Sequence, residues 1–532
     1  MNSGRSTPGR SADLGAATGL TLAGLVREHA ARRPGHPYLH YLGDTVSYGE
    51  LDERTDRVAA ALRAAGVGAG DRVALLDRNG PACLEVMFGA AKCGAVYVPV
   101  NWRLAAPEIA DILTDADPRV LFLGSEYTGS VDRARHGALT VVEVDSDSGR
   151  PRYGGWLDGV EPRDPGVLAE PNDAALLMYT SGTTGRPKGA VLTQSGLLGR
   201  MPGHGRLWSY DESSVNLVAM PLFHIGGTGI ALEGIVAGAT TVLMRDFDPG
   251  GALDLISTYR VTNTLLVPAM IQFMLDSPAC AGVDWSTMRS LVYGAAPISE
   301  TLLRRAMETM RCEFVQIYGM TEHSGCAASL PAEAHDPAAR PELLRSCGLP
   351  LPWVEVAITD PVTGAQLATG EVGEIRIRSS QVMRGYWNQP EQTAAALTPD
   401  GWYRTGDAGY QDAEGYLFIQ DRVKDMIISG GENIYPAEIE NVLMAHPGVR
   451  DIAVIGVPHE RWGETPKAVV VAEPGAEPDA GELIAYCRER LAGYKCPTSV
   501  DIVDALPRNP SGKVLKFVLR EPHWRGHDRR VS

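Results

Sequence analysis

Residues 179–189 read Tyr-Thr-Ser-Gly-Thr-Thr-Gly-Arg-Pro-Lys-Gly, directly after the apolar run Ala-Ala-Leu-Leu-Met. The hydroxyls of Thr180, Ser181, Thr183 and Thr184 and the glycines Gly182, Gly185 and Gly189 put short donors and open backbone N–H groups in one window. Lys188 adds a point charge, and together these are the makings of a phosphate-binding loop. The loop is not a Walker A sequence, which needs Gly-Lys-Ser/Thr in direct succession, whereas Lys188 follows Pro187. A flexible surface turn is the plainer alternative, and so many specified residue types in one window argue against it. A second set, Tyr318-Gly319-Met320-Thr321-Glu322, ends a predicted strand, and in open α/β sheets ligands sit beyond the carboxyl ends of strands. Read alone, His224 in Pro-Leu-Phe-His is a packed histidine, Asp407 an aspartate after a Thr-Gly turn, and Lys513 an exposed lysine in an Asn-Pro-Ser-Gly loop.

These groups need elements to position them, and the chain is long enough to supply several. At 532 residues and roughly 100–200 residues per domain, it divides into about three or four folding units. After an amphipathic helix near 21–33, strand-like runs alternate with helix-length segments. Strands are expected at 72–76, 96–100 and 120–123, with helices at 81–92 and 105–114. The alternation resumes with strands at 215–220, 240–244, 264–268, 290–294 and 314–319. Apolar, β-branched runs separated by helices imply parallel, doubly wound sheets covered on both faces. Between about 350 and 421 the pattern changes to short alternating segments joined by Gly, Asp and Pro turns, the mark of a small antiparallel or barrel-like subdomain. A compact α/β unit follows, with helices at 436–445 and 480–492 and strands at 452–456, 468–472 and 499–503. The fold class is therefore α/β. A loose leader covers 1–18, a large N-terminal domain 19–421 with its β-rich part at about 350–421, and a small C-terminal domain 422–532.

Composition removes other classes. The chain carries 49 Lys+Arg against 65 Asp+Glu, a net charge of −16, so no basic field draws it to nucleic acid by counterion release. Residues 422–532 hold 15 Lys+Arg against 16 Asp+Glu, net −1, which leaves −15 on the first 421. A polyanion meets its less repulsive wall at the C-terminal segment. Eight scattered cysteines form no C-x-x-C pair and no metal-ligand spacing with histidine, and read as thiols in a reducing cytoplasm. The leader lacks the apolar stretch of a signal peptide, no run is long and apolar enough to span a membrane, and the basic His-Trp-Arg-Gly-His-Asp-Arg-Arg tail reads as solvated.

Several motifs in fixed order give the chain a family likeness. They are the 179–189 loop, Met220-Pro221-Leu222-Phe223-His224, Gly294-Ala295-Ala296-Pro297, Tyr318-Gly319-Met320-Thr321-Glu322 and Tyr403-Arg404-Thr405-Gly406-Asp407. Asp421-Arg422-Val423-Lys424-Asp425, Ser429-Gly430-Gly431-Glu432-Asn433 and Asn509-Pro510-Ser511-Gly512-Lys513 complete the set. From about residue 20 to 520 the chain resembles the AMP-forming adenylate superfamily, which includes acyl-CoA synthetases, peptide-synthetase adenylation domains and beetle luciferases. The wording of 421–440 and of Pro-Leu-Phe-His-Ile-Gly-Gly is most similar to bacterial fatty-acyl-CoA and aryl-CoA ligases.

The resemblance implies roles residue by residue. Tyr318 packs on adenine, Thr321 contacts the α-phosphate, and Glu322 helps hold Mg²⁺, a cation that takes hard oxygen ligands. Gly294, Ala295, Ala296, Pro297, Gly319 and Met320 border the nucleotide. Asp407, with Arg422, takes the ribose hydroxyls, since an acceptor-only carboxylate suits two donors. Lys513 bridges the attacking carboxylate and the α-phosphate, and Lys188 offsets further charge. His224 gates the acyl pocket, which Val267, Gly294 and Gly319 also line, and no aspartate follows it to bind the ammonium of an amino acid. Near Lys424 the C-terminal domain turns so that Gly430 and Gly431 replace the Lys513 loop beside a pantetheine arm.

The implied reaction takes a carboxylic acid, fatty or aryl, with ATP, Mg²⁺ and coenzyme A through an acyl-AMP to a thioester. One alternative keeps the adenylation and passes the activated acid, nitrite among the unusual ones, to a carrier protein, an amine or an oxygen. Another is a nucleotide-binding protein without catalysis.

Overall fold

The structure is a computed structural model that describes residues 19–131, 139–180, 187–296, 298–361, 363–422, 425–429, 432–508 and 514–525. Ser181, Gly182, Thr183, Thr184, Gly185, Pro297, Lys424, Gly430, Gly431, Lys513 and the leader lie outside the described residues. Backbone alone is described for Asp421 and Arg422.

Runs of β-branched and apolar residues become strands whose side chains are buried on both faces, as in Val120–Gly124 and Ser290–Gly294. They assemble two large sheets. In the nine-stranded one, Glu313–Met320, Ser290–Gly294, Asn263–Leu266, Val215–Val218, Thr240–Leu243 and Pro37–Tyr41 lie side by side and parallel. In the six-stranded one, Thr140–Val144, Val120–Gly124, Arg72–Leu76, Val96–Pro99 and Ala174–Thr180 form the run. Helices cover these sheets because the connections are crossovers. Pro81–Lys92, set between two of the strands, buries every one of its twelve residues. The two charges in it are matched: Lys92 Nζ reaches Asp52 and Asp56 at 2.5 Å, and Glu85 receives Arg54 and Tyr153.

At the edges, antiparallel strands extend the expected parallel sheets. Asp44–Ser47, Gly325–Leu330, Leu349–Pro350 and Lys188–Thr193 are antiparallel to their neighbours. Hairpin-length links such as Leu42–Gly43 and 321–324 are too short for a crossover, so the chain returns antiparallel.

The β-rich segment is a four-stranded antiparallel sheet in the order Glu355–Thr359, Gly373–Arg378, Tyr403–Gln411, Leu417–Arg422. Its first and last strands do not pair with each other among the described residues. The Thr405-Gly406 pair, expected to form a turn, lies inside the third strand. Gly406 adopts φ +68° there, and the register against the flanking strands shifts on either side of it. This is a bulge that re-aims the strand without ending it.

Beyond Arg422 a five-stranded sheet begins with Ile427–Ser429. Its centre is one long hairpin, Val449–His459 with Gly463–Ala472, where the sequence suggests two shorter strands. Helices Pro436–Met444 and Ala480–Arg488 pack with it around Ile439, Leu443, Val454 and Leu483. Of the tail expected to be solvated, His523 and Trp524 close the helix Lys516–Trp524, and Trp524 Nε1 donates to Gly456 O at 2.9 Å. No described helix is long and apolar enough to cross a membrane.

A close backbone approach lies at Gly319, where the strand Glu313–Met320 meets Gly325–Leu330. A Cβ there would overlap the Gly325 carbonyl oxygen and carbon, which are backbone and cannot swing away. Gly319→Ala is therefore expected to cost about 2 kcal/mol or more, read by chemical denaturation. A loss under about 0.5 kcal/mol, which is within the noise of surface changes, would contradict this packing.

Candidate functional site

Four adjacent parallel strands, Val215–Val218, Asn263–Leu266, Ser290–Gly294 and Glu313–Met320, end on one edge of the nine-stranded sheet. Strands sit about 4.8 Å apart, so these ends span roughly 15 Å of the edge where open α/β sheets take their ligands. His224, Val267, Gly294 and Gly319, which the sequence groups around an acyl chain, each fall at or just past one of these four ends. Ala295 follows with φ +62°, a conformation that costs a non-glycine residue energy and is typical of functional turns. Ser299 then caps the helix Glu300–Met310 by accepting from Leu302 N–H.

The turn bearing His224 is held by a residue that no motif marks. Asn79 donates from Nδ2 to Met220 O (3.0 Å) and Met244 O (3.1 Å), and its Oδ1 accepts from Leu222 N–H (2.8 Å). His224 in turn caps the helix Ile225–Ala237, with Nδ1 accepting from Gly226 N–H at 3.3 Å. Burial lowers its pKa, and an accepting Nδ1 leaves the ring proton on Nε2.

Glu322 joins the two large sheets. Its Oε1 accepts from Thr180 Oγ1 at 3.3 Å and from the Tyr386 hydroxyl at 3.1 Å, and its backbone oxygen accepts from Met383 N–H at 2.8 Å. Thr180 pairs with Lys188 across the antiparallel hairpin of the six-stranded sheet. Lys188 Nζ donates to Gln392 Oε1 at 2.7 Å and lies 5.1 Å from the Tyr386 ring centre. Residues 384–387 run along the second strand of that hairpin, with Trp387 N–H on Gly189 O and Val191 N–H on Gly385 O. Thr321 opens the short 3-10 turn Thr321–His323, so it stands beside Glu322. His323 is turned inward: fully buried, it meets Ser379 Oγ at 2.7 Å, and burial pushes its pKa down to about 4. It has a packing role, not a chemical one.

The same strand reaches the four-stranded sheet. Tyr318 donates its hydroxyl to Asp407 Oδ2 at 2.7 Å, and both are buried. Asp407 N–H donates to Thr405 Oγ1 at 3.0 Å, and Thr405 donates to Ile375 O at 2.7 Å. Asp407 also faces Arg422 in the strand register. Thr180, Lys188, Thr321, Glu322, Tyr318 and Asp407 are thus gathered at one edge, and Arg422 is brought beside Asp407 by backbone pairing. The flanks of two expected loops are close as well: Ser429 pairs with Glu432, and Arg508 bridges Val514. Sequence motifs give no sign of Asn79, Tyr386 or Gln392.

Among the described residues no group of three His, Cys, Asp or Glu side chains could hold a metal by itself. Glu322 with the Thr180 hydroxyl is a small set of hard oxygens. That fits Mg²⁺, which is held by one or two carboxylates while phosphates and waters fill the remaining positions.

The Tyr318–Asp407 bond gives a direct test. A hydrogen bond to a charged group is worth roughly 1.5–3 kcal/mol, so Tyr318→Phe is expected to raise the KM for ATP by about 10-fold or more. An unchanged KM would show that this pair does not shape the nucleotide site.

Two family models match the chain: AMP-binding enzyme over residues 26–387, and AMP-binding enzyme C-terminal domain over residues 438–513. A fatty acid–[acyl-carrier-protein] ligase, ScoC, from Streptomyces coeruleorubidus is 41% identical over 516 residues, covering 96% of this chain and 98% of that protein. A feruloyl-CoA synthase from Amycolatopsis sp. is 42% identical over 479 residues, covering 90% and 94%. The crystal structure of ATP-bound MatB from Rhodopseudomonas palustris superposes with a TM-score of 0.86 at 32% identity, covering 95% and 99%. With matches of this length in both sequence and fold, the chain belongs to the AMP-binding enzyme family.

Proposed function

We propose that the protein is an ATP-dependent acid–thiol ligase. It joins a fatty or aryl carboxylic acid to AMP and then passes the acyl group to the thiol of coenzyme A. The observation that carries this reading is the gathering of Thr180, Glu322, Tyr318 and Asp407 at one sheet edge, in a family that includes a fatty acid–[acyl-carrier-protein] ligase and a feruloyl-CoA synthase.

In the first step a carboxylate oxygen of the acid attacks the α-phosphorus of ATP, and the bond to the β-phosphate oxygen breaks to release pyrophosphate. Asp407 and Arg422 hold the ribose, Tyr318 lies against adenine, and the 180–185 loop with Lys188 carries phosphate charge. Two anions approach each other here, so a cation that strengthens its grip as charge builds lowers the barrier; Lys513 is assigned that part. Glu322 would hold Mg²⁺, which would supply charge neutralisation at the phosphates. In the second step the thiolate attacks the acyl carbonyl carbon and AMP leaves, a better leaving group than any the free acid offers. A turn of the C-terminal domain about Lys424, between the strands ending at Arg422 and beginning at Ile427, exchanges the Lys513 loop for Gly430 and Gly431. A cytoplasmic location goes with this chemistry and with eight unpaired cysteines.

A second reading has an acyl carrier protein as the acceptor, and the 41% identity to a carrier-protein ligase favours it. Both readings share the adenylation step. The test is pyrophosphate release across aliphatic and aryl acids, with coenzyme A, with a phosphopantetheinylated carrier protein, or with neither. The expected result is acid-dependent pyrophosphate, a CoA thioester, and a loss of about 100-fold or more in adenylation for Lys513→Ala. Thioester on the carrier protein alone would select the second reading, and pyrophosphate release without any acid dependence would refute both.

A further inference from the structure

Lys188 is held by groups that carry no charge. Its Nζ donates to Gln392 Oε1 at 2.7 Å and stands 5.1 Å from the centre of the Tyr386 ring. Among the described residues no carboxylate pairs with this ammonium. A lysine ends in three donors on a flexible four-carbon stem. One donor spent on Gln392 sets the direction of the stem, and the other donors and the whole positive charge stay available to a ligand.

Gln392 is itself fixed by the fold. It lies on the helix Pro390–Ala396, next to Thr393, whose Oγ1 accepts from Tyr386 N–H at 2.9 Å and donates to Gln389 O at 2.9 Å. The segment before this helix is joined to the strand Lys188–Thr193 by Arg384 N–H on Val191 O, Val191 N–H on Gly385 O and Trp387 N–H on Gly189 O. Trp387 Nε1 adds a bond to Asp115 O at 3.0 Å. Helix, segment and strand therefore form one unit, and that unit also reaches the carboxylate at the strand end. Tyr386 offers its ring to Lys188 and its hydroxyl to Glu322 Oε1 at 3.1 Å, so the cation and the carboxylate meet at one tyrosine.

An amide at position 392 differs in kind from its two plainest substitutes. A carboxylate there would grip the ammonium harder and cancel its charge, so that phosphate would have to break an ion pair to reach it. An apolar side chain would leave the stem to wander among its rotamers, a freedom lost again when a ligand is bound. We infer that Gln392 is a positioning residue for ATP: its amide oxygen, with the Tyr386 ring, aims the Lys188 ammonium at the triphosphate without neutralising it. This rests on the ligase reading above for the identity of the ligand, and adds to it a residue that none of the sequence motifs contains.

The test is a double-mutant cycle between positions 188 and 392, read as the calorimetric Kd of ATP with Mg²⁺ and as KM for ATP and for the acid in pyrophosphate release. Gln392→Ala is expected to weaken ATP binding by about 5-fold or more while KM for the acid holds. Its Tm is expected to hold as well, since Gln392 is half-buried and alanine favours the helix. Gln392→Glu is expected to weaken ATP binding too, because the new charge pairs with Lys188 and repels phosphate. In the Lys188→Ala background, Gln392→Ala is expected to shift Kd by less than about 2-fold, because the amide then has no ammonium to aim. A purely structural role would weaken ATP binding equally in both backgrounds. Such equal losses, an unchanged Kd in Gln392→Ala, or tighter binding in Gln392→Glu would overturn the inference. If ATP binds with the expected coupling but no acid releases pyrophosphate, the ligase reading fails and the inference stands; if the wild-type chain does not bind ATP, both fail.

Discussion

The Glu322 carboxylate is the point on which the site depends. Thr180 comes to it from the hairpin of the six-stranded sheet, Tyr386 from the segment that runs along that hairpin, and Glu322 itself closes the strand Glu313–Met320. Four residues earlier, Tyr318 binds Asp407 of the four-stranded sheet. One five-residue segment therefore ties three sheets together. Its position is fixed from behind by the contact at Gly319, which leaves no room for a side chain, and by Met383 N–H on the Glu322 carbonyl. Hydrogen bonds to a charged group are the stronger kind, and a carboxylate with donors on one oxygen keeps its other oxygen to offer a cation.

The parallel register of the central strands sets what lies around that carboxylate. Parallel strands put all their carboxyl ends on the same edge, so the ends bearing His224, Val267, Gly294 and Tyr318–Glu322 converge without any of the turns needing to be long. Asn79 then locks the Met220–His224 turn with two hydrogen bonds and ties it to Met244 O with a third, and this fixes where the helix Ile225–Ala237 begins.

Much of this is legible in the amino-acid sequence. The segments 72–76, 81–92 and 290–294 are read to the residue because each is mainly apolar and set between polar or Gly/Pro positions, and burial on both faces writes that pattern directly. The motif residues Thr180, Lys188, Tyr318, Glu322 and Asp407 are visible because chemistry restricts their types. Where sequence and structure part, the causes are local. The strand Tyr403–Gln411 looks like a turn because a bulge uses the same Thr-Gly signature, and the helix Lys516–Trp524 goes unread because it contains Pro522, a helix breaker. What stays invisible is long-range: Lys188 meets Gln392 across 204 positions of chain, Asn79 meets Met220 across 141, and Tyr386 meets Glu322 across 64. No spacing rule in a single sequence reports such contacts.

If Glu322 is the protein's hold on metal-bound nucleotide, calorimetric titration of ATP with and without Mg²⁺ reads that hold most directly. In the wild-type chain Mg²⁺ is expected to tighten ATP binding by about 10-fold or more, in keeping with a charged contact worth roughly 1.5–3 kcal/mol. In Glu322→Gln, which keeps the shape and the hydrogen-bonding capacity of the side chain but removes its charge, that gain is expected to disappear. An undiminished Mg²⁺ effect in Glu322→Gln, in a variant that still folds and binds ATP, would contradict the central role given to this carboxylate.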